Sequence, residues 1–304
     1  MPEAMARVGD VELCYETFGD PAAPALLLVM GLATQMLGWH EEFCATLAER
    51  GYHVIRFDNR DVGRSSGMAG RPPTLWQLLR RSRAAAGYTL EDMAADGVGL
   101  LDHLGIERAH VVGASMGGMI AQTIAGRHPE RTLSLVSIMS NTGALSSGQP
   151  ALEMYPLLIR RRPRDRDGFV EASLKTFFTI GSKAFERDVE ELRRLAAQSY
   201  DRGHDPASAG RQLAAILASG DRTPLLRTIT APTLVIHGTA DRLIRPSGGR
   251  ATAAAIPGAR LLLIEGMGHD LPRQVWPRII DGIDANAERA GDGAAAGAGA
   301  EHAA

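Results

Sequence analysis

The sequence predicts an α/β fold in which helices cover both faces of a mostly parallel central sheet and a helical cap is inserted between two late strands. Three observations support this prediction. Short apolar runs recur along the 304 residues, the segments between them have helical periodicity, and this alternation is interrupted once, between about residues 142 and 226.

The strands are predicted from apolar runs without polar alternation, which are typical of strands buried on both faces of a parallel sheet. Parallel neighbours need a crossover connection, usually a helix, so strands and helices should alternate along the chain. The runs are ALLLVM (25–30), YHVIRFD (52–58), HVVGAS (110–115), LSLVSIMS (133–140), TLVIHG (233–238) and RLLLIEG (260–266).

Helices are predicted where apolar side chains recur at helical spacing. In segment 39–50, Phe43 and Leu47 lie one turn apart. Segment 90–104 opens with Thr89-Leu-Glu-Asp, a pattern typical of a capped helix start.

The interruption at 142–226 contains helical patterns at 169–180, 184–200 and 207–219. A crossover needs only about a dozen residues, so this longer insertion predicts a cap or lid. We therefore divide the chain into an α/β core (1–141 and 227–286), a helical cap (142–226) and an Ala/Gly-rich tail (287–304). The tail is expected to be disordered.

Composition excludes several classes of protein. The 33 basic and 35 acidic residues give a net charge of −2, so no nucleic-acid partner is expected. Cys14 and Cys44 lack metal-ligand spacing and are interpreted as small buried hydrophobes. No signal peptide is visible, and the longest apolar run is too short to cross a membrane, so a cytoplasmic protein without a membrane partner is expected.

The clearest motif is Gly113-Ala-Ser115-Met-Gly117, between a predicted strand and a predicted helix. Gly-x-Ser-x-Gly in this context is a nucleophile elbow, in which the serine occupies a strained turn and its neighbours must be small. The helix directs its N-terminal N–H groups toward the serine. The alternative, a glycine-rich packing turn, is much less consistent with this placement.

A nucleophilic serine requires a base, and the base requires a residue that orients it. Asp241 follows the predicted strand 233–238, and His269 follows the predicted strand 260–266. Reaction sites of open α/β sheets lie at the carboxyl ends of the strands, where all three residues should converge. Asp241 as a helix cap and His269 as a loop residue are the alternatives, but their joint placement favours a Ser115–His269–Asp241 triad.

Other candidate residues are assigned structural roles. His237 lies within a predicted strand and is interpreted as a core histidine, and Asp58 is expected to fix its loop together with Arg60. The sequence contains neither a metal-ligand cluster nor a Gly-x-Gly-x-x-Gly motif. No metal and no cofactor are therefore predicted.

The oxyanion hole is predicted to consist of two backbone N–H groups, one from Met116 and one from Leu32. Gly31 would let the backbone approach the serine closely. The substrate pocket is predicted from adjacency to these motifs and is expected to be apolar, lined by Met30, Gly31, Trp39 and Leu271 together with Leu32 and Met116.

The order of these motifs resembles that of the α/β-hydrolase superfamily from about Val8 to Asn286. The matching pieces are LLLVMG, LGW, VIRFDNRDVGRSS, HVVGASMGG, PTLVIHGTADRL and IPGARLLLIEGMGHDLP. Within it, the chain is most similar to the bacterial methylesterases of anthracycline tailoring, of the aclacinomycin methylesterase type. Two residues depart from the usual pattern: Met30 replaces a histidine before Gly31, and Asp61 replaces a glycine.

The resemblance implies a cofactor-free serine hydrolase with a lid. The leading hypothesis is a carboxylesterase or methylesterase that cleaves an ester of a hydrophobic small molecule through an acyl-enzyme. The same triad also serves lactonases, carbon–carbon bond hydrolases and cofactor-free perhydrolases. A non-catalytic small-molecule receptor is the alternative from another class, and an intact triad argues against it.

Overall fold

The computed structural model describes residues 2–68, 74, 76–77, 86–158 and 162–300. Its centre is an eight-stranded sheet with the strand order β1-β2-β4-β3-β5-β6-β7-β8. The strands are β1 (Ala4–Val8), β2 (Val11–Phe18), β3 (Ala25–Val29), β4 (His53–Phe57), β5 (Ala109–Ala114), β6 (Thr132–Ile138), β7 (Thr233–Gly238) and β8 (Arg260–Ile264).

From β4 to β8 every neighbouring pair is parallel, whereas β1 and β2 form an antiparallel edge that joins β4. All six predicted strands are present within one or two residues of their predicted ends. The sequence analysis did not predict β1 and β2. In both strands buried and exposed residues are mixed, so neither contains the continuous apolar run that identified the others.

The helices of the core cover both faces of the sheet. They are α1 (Glu41–Glu49), α2 (Leu90–His103), α3 (Met116–Arg127), α9 (Ser247–Ala255) and α10 (Trp276–Ala300). Within the part of the chain that the structure describes, four 3₁₀ turns accompany the helices, at Met36–Gly38, Pro129–Arg131, Leu152–Met154 and Arg273–Val275. The α/β prediction is confirmed.

Strand β3 divides its side chains between the two layers of the core. Leu27 and Val29 pack against residues of α2 and α3, whereas Leu26 and Leu28 pack against residues of α1 and α10. Successive side chains of a strand point to opposite faces, so a strand covered on both sides is apolar at every position. This explains the unbroken apolar run of the sequence.

The predicted start of α2 is confirmed in detail. The Thr89 side chain accepts a hydrogen bond from the backbone N–H of Asp92, and the Asp92 carboxylate accepts one from the N–H of Thr89. This capping box satisfies two N–H groups that would otherwise lack partners at the helix end.

Between β6 and β7 the chain forms the helices α4 (Tyr155–Leu158), α5 (Arg166–Ile180), α6 (Val189–Arg202), α7 (Ser208–Ser219) and α8 (Thr223–Leu226). Within residues 142–158 and 162–226 there is no strand. Residues 159–161, between α4 and α5, lie outside the described residues. We call residues 142–226 the insertion.

The structure corrects the prediction for the C-terminal segment. Helix α10 continues to Ala300, so residues 287–300, predicted to be disordered, are helical. Ala287 is buried in the same apolar layer as Ile283, and Arg289 donates to the carbonyl oxygens of Thr233 and Gly258. The interpretation as disorder rested on the Ala/Gly-rich composition. Glycine disfavours a helix, but alanine has the highest helix propensity, and the packed residues Ala287 and Arg289 lie at the start of the segment.

Both cysteines are buried and free, and burial raises the pKa of each thiol to about 12. Neither thiol therefore forms a thiolate readily at neutral pH. Among the helices of the described residues, none combines the length and the apolar character needed to span a bilayer.

Candidate active site

Ser115 occupies the turn between β5 and α3, in the backbone conformation φ +58° and ψ −119°. Such a conformation is strained for a residue with a side chain and persists only where its surroundings hold it. A Cβ atom at Gly113 would collide with the carbonyl oxygen of Gly117, and one at Gly117 would collide with that of Val29. The two glycines of the motif are therefore required by the close approach of the backbone.

His269 and Asp241 meet Ser115 at the carboxyl edge of the sheet. His269 Nε2 lies 2.9 Å from Ser115 Oγ, and His269 Nδ1 lies 2.7 Å from Asp241 Oδ2. Both distances are those of hydrogen bonds. The structure brings together the three residues that the sequence analysis expected at this edge.

The Asp241 carboxylate is buried and accepts several hydrogen bonds. Its Oδ1 accepts from the backbone N–H groups of Leu243 and Ile244, both at 2.9 Å. Burial raises the pKa of Asp241, but the imidazoles of His269 and His237 lower it by a larger amount. The resulting pKa is about 2. The carboxylate is thus charged across the neutral range and can orient His269 through Nδ1–H.

His237 is fully buried, as predicted for a core histidine, but it also faces Asp241. Its Nε2 donates to the carbonyl oxygen of Ile244 at 2.7 Å and lies 3.5 Å from Asp241 Oδ2. No sequence motif indicated this contact between His237 and Asp241.

The loop after β3 approaches the nucleophile closely. A Cβ atom at Gly31 would lie 3.1 Å from Ser115 Cβ, so a side chain at this position would crowd the serine. Among the hydrogen bonds of the described residues, none uses the backbone N–H of Leu32 or Met116 as donor. Both groups are free to bind an oxygen atom of a substrate.

A cavity of about 550 Å³ adjoins Ser115 between the core and the insertion. The predicted pocket residues Met30, Gly31 and Leu271 line it, as do Leu32 and Met116. The insertion contributes apolar side chains, among them Phe169, Leu174, Phe177, Leu213 and Ile216. The pocket is therefore largely apolar.

The prediction for Trp39 is wrong, because this residue does not line the cavity. Its side chain has no exposed surface and stacks on Phe43, with ring centroids 5.6 Å apart, in the layer beneath α1 and α10. Adjacency in sequence to the loop after β3 suggested a pocket residue, but the 3₁₀ turn Met36–Gly38 directs Trp39 into the core.

Asp58 fixes its loop, as expected, but not through Arg60. Its Oδ2 accepts from the backbone N–H of Arg64 at 3.1 Å and lies 3.0 Å from Nη2 of Arg202, on helix α6 of the insertion. Arg60 instead pairs with Asp96 of α2 at 2.6 Å. Asp58 therefore links the core to the insertion.

The insertion also holds the loop that carries the histidine. The N–H and the hydroxyl of Ser182, just after α5, donate to Asp270 Oδ1 at 2.9 and 2.5 Å. Gly268 N–H donates to Ser182 Oγ, and His269 N–H donates to the carbonyl oxygen of Ile180. The position of His269 thus depends on contacts that no sequence motif indicated.

Among the described residues, no three His, Cys, Asp or Glu side chains are arranged to hold a metal ion. The chemistry of the site instead comes from a hydroxyl group, an imidazole, a carboxylate and two free N–H groups beside an apolar cavity.

The family model that describes the α/β-hydrolase fold matches residues 24–272. The chain belongs to the α/β-hydrolase family. The matched segment contains Ser115, Asp241, His269 and the loop after β3, so it covers the whole site.

Two relatives span nearly the full chain. Rhodomycin D methylesterase DnrP of Streptomyces peucetius is 30% identical, with 95% of this chain and 99% of that protein covered. Rhodomycin D methylesterase DauP of Streptomyces sp. (strain C5) is 31% identical with the same coverage. Among solved structures, the enol-lactonase from Burkholderia xenovorans LB400 has a TM-score of 0.70 at 25% identity and covers 95% of this chain and 98% of its own.

Proposed function

We propose that this α/β hydrolase cleaves carboxylic esters, with Ser115 as nucleophile, His269 as general base and Asp241 as the residue that orients the histidine. The observation that carries the proposal is the continuous hydrogen-bonded path from Ser115 Oγ through both imidazole nitrogens to Asp241 Oδ2, with distances of 2.9 and 2.7 Å. Such a path lets the serine lose its proton as it attacks.

In the acylation step, Ser115 Oγ bonds to the ester carbonyl carbon while its proton moves to His269 Nε2. The charge that develops on the carbonyl oxygen is bound by the N–H groups of Leu32 and Met116. The tetrahedral intermediate then breaks its bond to the alkoxy oxygen, which takes the proton from His269 and leaves as the alcohol.

In the deacylation step, His269 takes a proton from water, whose oxygen attacks the acyl carbon. Collapse of the second intermediate returns the proton to Ser115 Oγ and releases the carboxylic acid. Asp241 stays charged throughout, because its pKa of about 2 lies far below neutral pH, and it stabilises the imidazolium formed in each step.

For the substrate, we propose a methyl ester of a hydrophobic small molecule. The largely apolar cavity of about 550 Å³ is large enough for a polycyclic acyl group, since ligand pockets span about 300–1,000 Å³. The similarity to two rhodomycin D methylesterases over 95% of the chain supports a small alcohol as leaving group.

A lactone is the second candidate substrate, supported by the likeness to a solved enol-lactonase. Attack by Ser115 would open the ring, and the alkoxide would remain attached to the acyl group. A methyl ester and a lactone derived from the same carboxylic acid distinguish the two candidates. The proposed preference predicts the higher kcat/KM for the methyl ester.

The triad is tested with single variants on one p-nitrophenyl ester. Ser115→Ala should lower kcat by about 10⁶ and Asp241→Asn by about 10⁴, the losses found when triad members are removed from serine proteases. Asp96→Asn is the matched control, since Asp96 is also a buried carboxylate but is paired with Arg60 outside the cavity. Turnover by a folded Ser115→Ala variant within tenfold of the parent enzyme would contradict the assignment.

A further inference from the structure

Besides Ser115 and Met139, two residues that line the cavity have a positive φ without being glycine. Ala33, which directly follows Leu32, has φ +52°, and Asp61 has φ +72°. For an alanine this conformation is unfavourable and persists only where other contacts hold the chain. The loop of Leu32 is held within itself by a hydrogen bond from Thr34 N–H to the carbonyl oxygen of Gly31 at 3.2 Å, and the Ala33 N–H receives a further support from outside the loop.

That support comes from Gln212 on helix α7 of the insertion. Gln212 Oε1 accepts a hydrogen bond from the Ala33 N–H at 2.7 Å, and its Nε2 donates to the carbonyl oxygen of Arg60 at 2.9 Å. The side chain has no exposed surface. Both ends of the amide are thus used to hold two loops of the core.

The neighbouring residue of α7 holds the second strained position. Arg211 Nε and Nη2 donate to the two carboxylate oxygens of Asp61 at 2.8 and 2.6 Å. Gln35, at the far end of the loop of Leu32, donates to the carbonyl oxygens of Ser199 and Gly203 at the end of α6. The loop is therefore attached to the insertion at Ala33 and at Gln35.

We propose that Gln212 is a positioning residue for ester hydrolysis, which holds Ala33 in its left-handed conformation so that the adjacent Leu32 N–H stays directed at the substrate oxygen. The proposal rests on the proposed function, in which Leu32 supplies one donor of the oxyanion hole. If the Ala33 bond is lost, the backbone can relax toward negative φ and carry Leu32 N–H away from Ser115. The insertion then completes the catalytic site as well as enclosing the cavity.

The test is Gln212→Met in the full chain, since Met has a similar length but neither donates nor accepts strongly. Loss of a whole oxyanion donor lowers kcat by about 10²–10³, so a displaced donor should cost about ten- to a hundredfold in kcat. KM for the p-nitrophenyl ester should stay within threefold of the parent value. The rate is expressed per site titrated with a fluorophosphonate, so that unfolded protein does not count.

Gln274→Met is the matched control. Gln274 also donates across the boundary between core and insertion, to the carbonyl oxygen of Glu186 at 3.2 Å, but it lies on the exposed surface away from the cavity. Its kcat should equal that of the parent enzyme. Gln212→Glu, which keeps an acceptor oxygen for Ala33 N–H, should retain more activity than Gln212→Met.

A Gln212→Met enzyme with kcat per titrated site within threefold of the parent would overturn the positioning role. The proposed function would still stand in that case if Ser115→Ala is inactive. Turnover by Ser115→Ala would instead contradict the proposed function, and this inference with it. If Gln212→Met does not fold, Gln212→Asn, whose side chain is one methylene shorter and cannot span both partners, carries the same expectation and the same refutation.

Discussion

The ion pair between Asp61 and Arg211 should be one of the main attachments of the insertion to the core. The Asp61 side chain is fully buried, that of Arg211 nearly so, and the two make a bidentate pair at 2.6 and 2.8 Å. Tyr88 hydroxyl and the N–H of Met68 also donate to the carboxylate, each at 2.7 Å. Removal of one charge leaves the other buried without its partner, which typically lowers the free energy of unfolding by about 3–5 kcal/mol.

Asp61→Asn isolates the charge, because asparagine tolerates the left-handed backbone and still offers Tyr88 an acceptor. Arg211 keeps its contact with the half-exposed Asp205, so the lower end of the range, about 3 kcal/mol, is expected. For a chain of this length, that loss lowers Tm by about 5 °C. Arg211→Met should cost a similar amount.

The assay is urea unfolding followed by circular dichroism for both single variants and the double variant. The double variant buries no unpaired charge at this pair. Its loss of unfolding free energy should therefore be about 2–3 kcal/mol smaller than the sum of the losses of the two single variants. Asp201→Asn is the control, since Asp201 forms an equally bidentate but exposed pair with Arg166 and should not shift Tm measurably. Additive losses, or a loss below 1 kcal/mol for Asp61→Asn, would refute this account.

Three further predictions follow from the fold and the site. Burial and the nearby Arg108 lower the pKa of His110 to about 4. An unfolded histidine titrates near 6.5 and takes up its proton first, so His110 alone should lower the folding stability by about 2 kcal/mol from pH 7 to pH 5, and His40, whose pKa burial also lowers to about 4, should add to this loss. The urea midpoint of a His110→Asn variant should therefore depend less on pH. Ending the chain after residue 286 should lower Tm by about 2–4 °C, because Ala287 is buried and Arg289 donates to two carbonyl groups. An unchanged melting curve would show that these contacts are dispensable. Dialysis against EDTA should leave kcat unchanged, and activity restored only by a divalent ion would contradict the metal-free mechanism.

The geometry of the candidate site was predictable from sequence because it follows from a rule of topology. Parallel strands place their carboxyl ends on one edge of the sheet. Residues that follow such strands, here Ser115, Asp241 and His269, therefore meet at that edge even though they are far apart in the sequence. The strained turn at Ser115 also has a local signature, since only glycine fits at positions 113 and 117.

Contacts between distant segments were not predictable, because nothing in the local sequence encodes them. Asp58 pairs with Arg202 and not with the neighbouring Arg60, and Gln212 bonds to Ala33 across 179 positions. Trp39 follows a loop that lines the cavity, yet its large apolar side chain is stabilised more by stacking in the core. The partners of such residues depend on the packing of the insertion, which its helical periodicity alone does not specify.

The central claim is that Ser115 forms an acyl-enzyme, and the mass of the intact protein tests it most directly. Rapid quenching in acid after mixing with a p-nitrophenyl ester should show one added acyl group per chain, on the peptide that contains Ser115. His269→Ala should not accumulate this adduct, because its serine lacks a base. Turnover without a detectable adduct even when deacylation is slowed, or an adduct on a different residue, would contradict the account.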